Sequence, residues 1–108
     1  MRVAVIGSRG AHVRNLGDYV QNADEIVSGG ARGVDTCAAE YAKRVGINLT
    51  VFLPEYKRYG RVAPIMRNKK IVDYADKIIA FWDGKSKGTL SVIRYAQRVG
   101  KECIVVIL

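Results

Sequence analysis

Short runs of aliphatic and β-branched residues recur along this chain without an alternating polar face, and segments of helical period separate them. A strand that is apolar on both sides must be covered on both sides, as happens in a parallel sheet held between two helical layers. The runs fall at residues 3–6, 25–27, 49–53, 77–82 and 103–108. Between them Val13, Leu16 and Val20 recur at three and four residues, and so do Val34, Ala38, Tyr41, Ala42 and Val45, each set forming one face of a helix. A third helix is predicted over about residues 62–74, with Pro64 in its first turn, where a missing amide hydrogen has no partner to lose. A fourth carries Leu90, Ile93 and Ala96 on its inner side, with Val99 close to it. Gly46 and Gly100 stand where left-handed caps would close the second and fourth helices. The expected fold is α/β, a Rossmann-like three-layer sandwich with a mainly parallel five-stranded sheet. With no repeat and no dividing linker, residues 1–108 are expected to form a single domain.

Charge narrows the partners. Eighteen Lys plus Arg against ten Asp plus Glu give a net +8, which favours phosphate-bearing molecules. The surplus is uneven: residues 57–70 hold six bases (Lys57, Arg58, Arg61, Arg67, Lys69, Lys70) and no acid. A solvated basic face is the common meaning of such a run, and phosphate contact is expected there first. No run approaches the ~18 apolar residues of a membrane span, and the opening residues lack a secretion signal, so the expected location is cytoplasmic, with no membrane partner. Cys37 and Cys103 lack CxxC or Cys/His spacing and are expected to be reduced core residues; with His12 as the single histidine, neither a metal nor a cofactor is expected.

In open α/β sheets ligands sit beyond the carboxyl ends of the strands, and three glycine-rich loops fall at that edge. The first is Gly7-Ser8-Arg9-Gly10, where Ser8 and Arg9 are equally well explained as a helix cap beside a solvated base. The second, residues 28–36, contains Gly29, Gly30, Ala31, Arg32 and Gly33 ahead of a helix; its amide hydrogens and the helix dipole favour an anion. Asp35 is assigned to stabilising the helix start, because a carboxylate beside a bound phosphate would repel it. The third, residues 83–89, offers Gly84, Lys87, Gly88 and Thr89 in a similar role. It is not a P-loop, since Ile79 stands where that motif needs its first glycine, and no loop satisfies GxGxxG. Arg67 can present a planar fork to a phosphate or ribose, and Trp82 at a strand end can line a pocket, whereas Phe81 is assigned to the core.

The pieces GSR at residues 7–9, SGGARGVD at residues 28–35 and MRNKKIVDYADKIIAFWDGKSKGT at residues 66–89 resemble the SLOG superfamily across nearly the whole chain. That superfamily joins the DNA-processing protein DprA, the LOG phosphoribohydrolases and stand-alone domains related to YspA and YpsA; GGARGVD and AFWDGKSKGT look most like the stand-alone branch. The resemblance implies a Rossmann-like nucleotide-binding fold with Gly29, Gly30, Gly33, Gly88 and Thr89 around phosphates. It also implies a pocket role for Arg67, which lies eight residues before Ala75 as a catalytic arginine does in LOG enzymes. The LOG motif PGGxGTxxE ends in a catalytic glutamate, and Val92 holds that position here; the stretch from Asp76 to Gly88 is also two residues longer than in that pattern.

Three functions are therefore weighed. The first is binding, with sensing or processing, of a nucleotide or nucleotide-derived small molecule. The second is phosphoribohydrolase-like cleavage of an N-glycosidic bond, with Arg67 as the best catalytic candidate and Asp35, Glu40 or Asp83 replacing the glutamate. The third is DprA-like DNA binding, ranked last because no helix reads as a base-contacting element. Exposed apolar helix faces would suit a homo-oligomer.

Overall fold

The computed structural model describes residues 1–30 and 33–108. Five strands, β1 (Arg2–Gly7), β2 (Glu25–Ser28), β3 (Asn48–Val51), β4 (Lys77–Trp82) and β5 (Glu102–Ile107), form one sheet in the order β3-β2-β1-β4-β5. Every pairing is parallel. The helices are α1 (Val34–Val45), the single turn α2 (Tyr56–Tyr59), α3 (Ala63–Tyr74) and α4 (Lys87–Val99).

The pleat sends alternate residues into two apolar layers. Val3, Val5, Ile26, Ile79 and Phe81 pack with Val34, Ala38 and Ala42 of α1 and with Leu16 and Val20. Ala4, Ile6, Val27, Ile78 and Ala80 meet Ile71 and Val72 of α3 and Val92, Ile93 and Ala96 of α4. The fold is thus the expected Rossmann-like sandwich, with its sheet parallel throughout.

Three expectations fail locally. Between β1 and β2 the chain makes a 3-10 turn at Leu16–Asp18 in place of an α-helix. The spacing of Leu16 and Val20 reported burial, which both have, but Gly10, Asn15, Gly17, Asp18 and Asn22 disfavour a continuous helix. The edge strands are only partly covered: α1 touches β3 and α4 touches β5, yet Leu49, Val51, Ile104, Val105 and Ile107 remain exposed, as do Val45 and Val99 in the last turns of α1 and α4. The stretch before α3, where the sequence pattern marks no element, carries α2 and a 3-10 turn at Gly60–Val62. Pro64 does sit in the first turn of α3, and Gly46 (φ 76°) and Gly100 (φ 75°) cap α1 and α4 in the left-handed conformation.

At the amino edge of the sheet, Glu25 accepts hydrogen bonds from the hydroxyls of Tyr74 (2.6 Å) and Thr50 (2.8 Å), which hold its carboxyl below the usual range. The Arg2 guanidinium lies 4.3 Å from the centre of the Tyr74 ring. No helix among the described residues is long and apolar enough to cross a membrane.

Candidate functional site

In this strand order the chain moves to one side of β1 through β2 and β3, then to the other side through β4 and β5. The loops after β1 and β4 therefore diverge, and a crevice opens between them at the carboxyl edge. A cleft of about 140 Å³ occupies it, lined by Gly7 and Arg9 after β1, Gly29 after β2, Asp35 of α1, Arg67 and Asn68 of α3, and Ser86, Gly88, Thr89 and Val92 around the start of α4.

Two glycines allow the walls to close up. A Cβ on Gly7 would lie 2.6 Å from Val34 Cγ2 and 2.7 Å from the Phe81 carbonyl oxygen, so only glycine lets α1 sit this near β1. Gly33 precedes α1 at φ 73°, ψ −119°, and a Cβ there would stand 2.2 Å from the Arg9 carbonyl oxygen.

Arg67 dominates the electrostatics. Its Nη1 donates to the Gly29 carbonyl at 2.7 Å and its Nε to Asn68 Oδ1 at 2.8 Å. Burial pushes the guanidinium below its ordinary value; the charge of Asp35 opposes this, and Arg9 acts in the same direction as burial. The group stays protonated at neutral pH, so the cleft contains a half-buried cation with a second one at its mouth.

The loop after β4 is largely bonded to itself. Asp83 Oδ1 accepts the backbone N–H groups of Lys85 and Ser86, each at 2.8 Å, and these hold the Asp83 carboxyl below its usual range. Ser86 Oγ caps α4 by accepting from the Thr89 amide at 3.4 Å, and Trp82 Nε1 donates to the Ser86 carbonyl at 3.0 Å. Ser8 is buried; its amide donates to the Phe81 carbonyl at 3.1 Å and its Oγ accepts from the Asp83 amide at 3.3 Å. Ser8 therefore fastens the first loop to the third.

Of the residues proposed from sequence, the structure brings Gly7, Arg9, Gly29, Arg67, Gly88 and Thr89 to one cleft. Ser8 lies beneath it, and Gly33 shapes it from the start of α1. Gly30 is exposed, and its amide donates to Ser28 Oγ at 3.3 Å. Trp82 packs against the layer of α3 and α4, while Gly84 and Lys87 are exposed; these three do not line the cleft. Ala31 and Arg32 lie outside the described residues. Asp35 was kept out of the pocket by the repulsion argument, yet it lines the wall, because its charge faces the Arg67 guanidinium. Pro64, Asn68 and Ile71 were also missed, although with Arg67 they have the i, i+3, i+4, i+7 spacing of one helical face. Val92, at the position of the LOG glutamate, is buried and gives the cleft an apolar wall.

These features define a parallel Rossmann-like α/β domain with a cationic cleft at its topological switch point. No family model matches the sequence. Over 81 residues the chain is 37% identical to the Gene 61 protein of Mycobacterium phage D29, a match covering 69% of this chain and 65% of that protein. Among solved structures, DNA processing protein A (DprA) from Streptococcus pneumoniae superposes with a TM-score of 0.76 at 21% identity, over 96% of this chain and 49% of that one. DprA from Helicobacter pylori, described for its unique single-stranded DNA binding mode, gives a TM-score of 0.73 at 24% identity, over 97% of this chain and 64% of that one. The chain spans less than two thirds of each of these proteins. Its fold is DprA-like.

Proposed function

We propose that residues 1–108 form a single nucleic-acid-binding domain that takes a backbone phosphate of single-stranded DNA into the cleft between β1 and β4. Arg67 carries this reading: a half-buried guanidinium fixed by the Gly29 carbonyl, with Arg9 nearby and Asp35 as the one carboxylate among the described lining residues. An entering phosphate supplies negative charge to two guanidiniums that otherwise repel each other. Gly7, Gly29, Gly88 and Thr89 let its oxygens approach backbone and hydroxyl.

Size points the same way. At about 140 Å³ the cleft falls below the ~300–1,000 Å³ of sites that enclose a whole small ligand. It suits a phosphate with part of its sugar, the rest of the strand lying outside along the basic residues 57–70. The DprA-like fold supports the same partner class, as does the net charge of +8. Within the SLOG superfamily, GGARGVD and AFWDGKSKGT favour the stand-alone YspA- and YpsA-related branch, and a cytoplasmic location is consistent with such a partner. A mononucleotide or nucleotide-derived molecule is the second reading, since it presents the same phosphate to Arg67. N-glycoside cleavage has Val92 against it at the position of the LOG glutamate; of the three proposed substitutes only Asp35 lines the cleft, and its charge is engaged with Arg67.

The test is fluorescence anisotropy of a labelled oligothymidine across a salt series. Binding should weaken with salt at a log–log slope of about −0.7 per phosphate contact. Arg67→Ala should lower affinity and reduce the slope by about one contact. A slope near zero, or unchanged binding in both Arg67→Ala and Arg9→Ala, would refute the proposal; a mononucleotide competing as well as the oligomer would favour the second reading.

A further inference from the structure

A second cavity, of about 190 Å³, lies on the α1 side of the sheet, with His12, Arg14, Cys37, Glu40, Tyr41 and Arg44 in its lining. Cys37 belongs to the amino-terminal part of α1 and is only 6% exposed, yet it forms part of the cavity wall. Sγ lies 3.3 Å from Nδ1 of His12 and accepts the backbone N–H of Val13 at 3.4 Å.

A thiol becomes a nucleophile when a base can take its proton and positive charge faces the sulfur. Here Nδ1 of His12 is placed for the first task, and the Val13 N–H and the amino end of α1 for the second. Cys103, the other free cysteine, sits half-buried on β5, where burial pushes its thiol up. Around Cys37 two arginines stand against one glutamate, so the cavity favours a molecule bearing carboxylates.

We propose that Cys37 is a modification site, at which His12 activates the thiol for exchange with a small carboxylate-bearing disulfide. Nδ1 takes the Sγ proton, and the thiolate attacks one sulfur of the disulfide. The new bond to Sγ forms as the old sulfur–sulfur bond breaks, and the departing thiolate receives the proton from His12. Cys37 is oxidised to a mixed disulfide, the other half of the reagent is reduced to a thiol, and no further oxidant is required.

The test uses the full chain with Cys103→Ser, which leaves one thiol. At pH 7 the folded protein should react with iodoacetamide about tenfold faster than the same chain in urea, whereas burial without activation would make it slower. His12→Gln should bring the folded rate to or below the unfolded one. Mixed-disulfide formation followed by intact mass should run faster with oxidised glutathione than with cystamine, and Arg14→Gln with Arg44→Gln should abolish that preference. A folded chain that reacts no faster than the unfolded one overturns the activation, and this comparison needs no His12 variant. Cystamine reacting as fast as glutathione disulfide overturns the assigned class of reagent.

Discussion

Replacing Gly33 with alanine probes the junction on which the cleft is built, and Gly60 provides an internal control. Gly33 (φ 73°, ψ −119°) and Gly60 (φ 59°, ψ −130°) occupy nearly the same backbone region, one that L-residues rarely adopt. Forcing alanine into it costs roughly 1–3 kcal/mol at either site. The surroundings differ: an added Cβ at Gly60 meets nothing within 4 Å, whereas at Gly33 it meets the Arg9 carbonyl oxygen at 2.2 Å and the Ser8 carbonyl oxygen at 2.7 Å. Those are backbone atoms, so the segment carrying Arg9 must shift, and such overpacking adds roughly 1–3 kcal/mol. Gly60→Ala should therefore cost about 1–3 kcal/mol and Gly33→Ala about 2–6, the latter a large share of the ~5–15 kcal/mol that holds a domain together. In urea denaturation the two midpoints should differ by about 1 M, given a slope of ~1–3 kcal/mol/M. Coincident midpoints would refute the claim that α1 and the loop after β1 are in forced contact.

Ser86→Ala removes the hydroxyl that accepts from the Thr89 amide, and chemical denaturation should show a loss of about 1 kcal/mol. Ile79→Ala, in the inner strand β4, should cost ~2–5 kcal/mol, whereas Ile107→Lys on the edge strand β5 should stay within ~0.5 kcal/mol; comparable losses would contradict the assigned burial. The Arg2 backbone N–H holds the Asp76 carboxyl below the usual range, with the Arg2 charge contributing. A depressed carboxyl adds stability above its unfolded value, and that stability is lost as pH falls through the folded one. Asp76→Asn should therefore flatten the decline of the urea midpoint between about pH 5 and 2, and an unchanged decline would count against the assignment.

Much of the fold was legible because the sheet's central strands are solidly apolar: β4 was read to its ends, and α1 and α4 close at the glycines the sequence marks. Both edge strands were read, but their exposure was not, because a residue such as Ile107 has the same letters whether or not a helix covers it. The missing helix after β1 escaped because periodicity reports which residues are buried, and Leu16 and Val20 are buried by turns. At the cleft, glycine-rich strand ends pointed to the right edge, but the roles of Asp35 and Asn68 depend on how Arg67 reaches from α3 to the Gly29 carbonyl. The pairing of His12 with Cys37, 25 residues apart, has no local signature.

Since no helix follows β1, residues 8–24 draw little order from their own backbone. Their turns are short, with Ala11 bonded to Ser8, Tyr19 to Leu16 and Ala23 to Val20. What presses the segment onto the sheet is side-chain anchorage: Leu16, Val20 and the Tyr19 ring set edge-on against Phe81 at 5.1 Å. Arg9 and His12 thus hang from a single ribbon pinned at a few points, and whatever lifts Leu16 unmakes the mouth of one hollow and the rim of the other while the strands beneath stay paired.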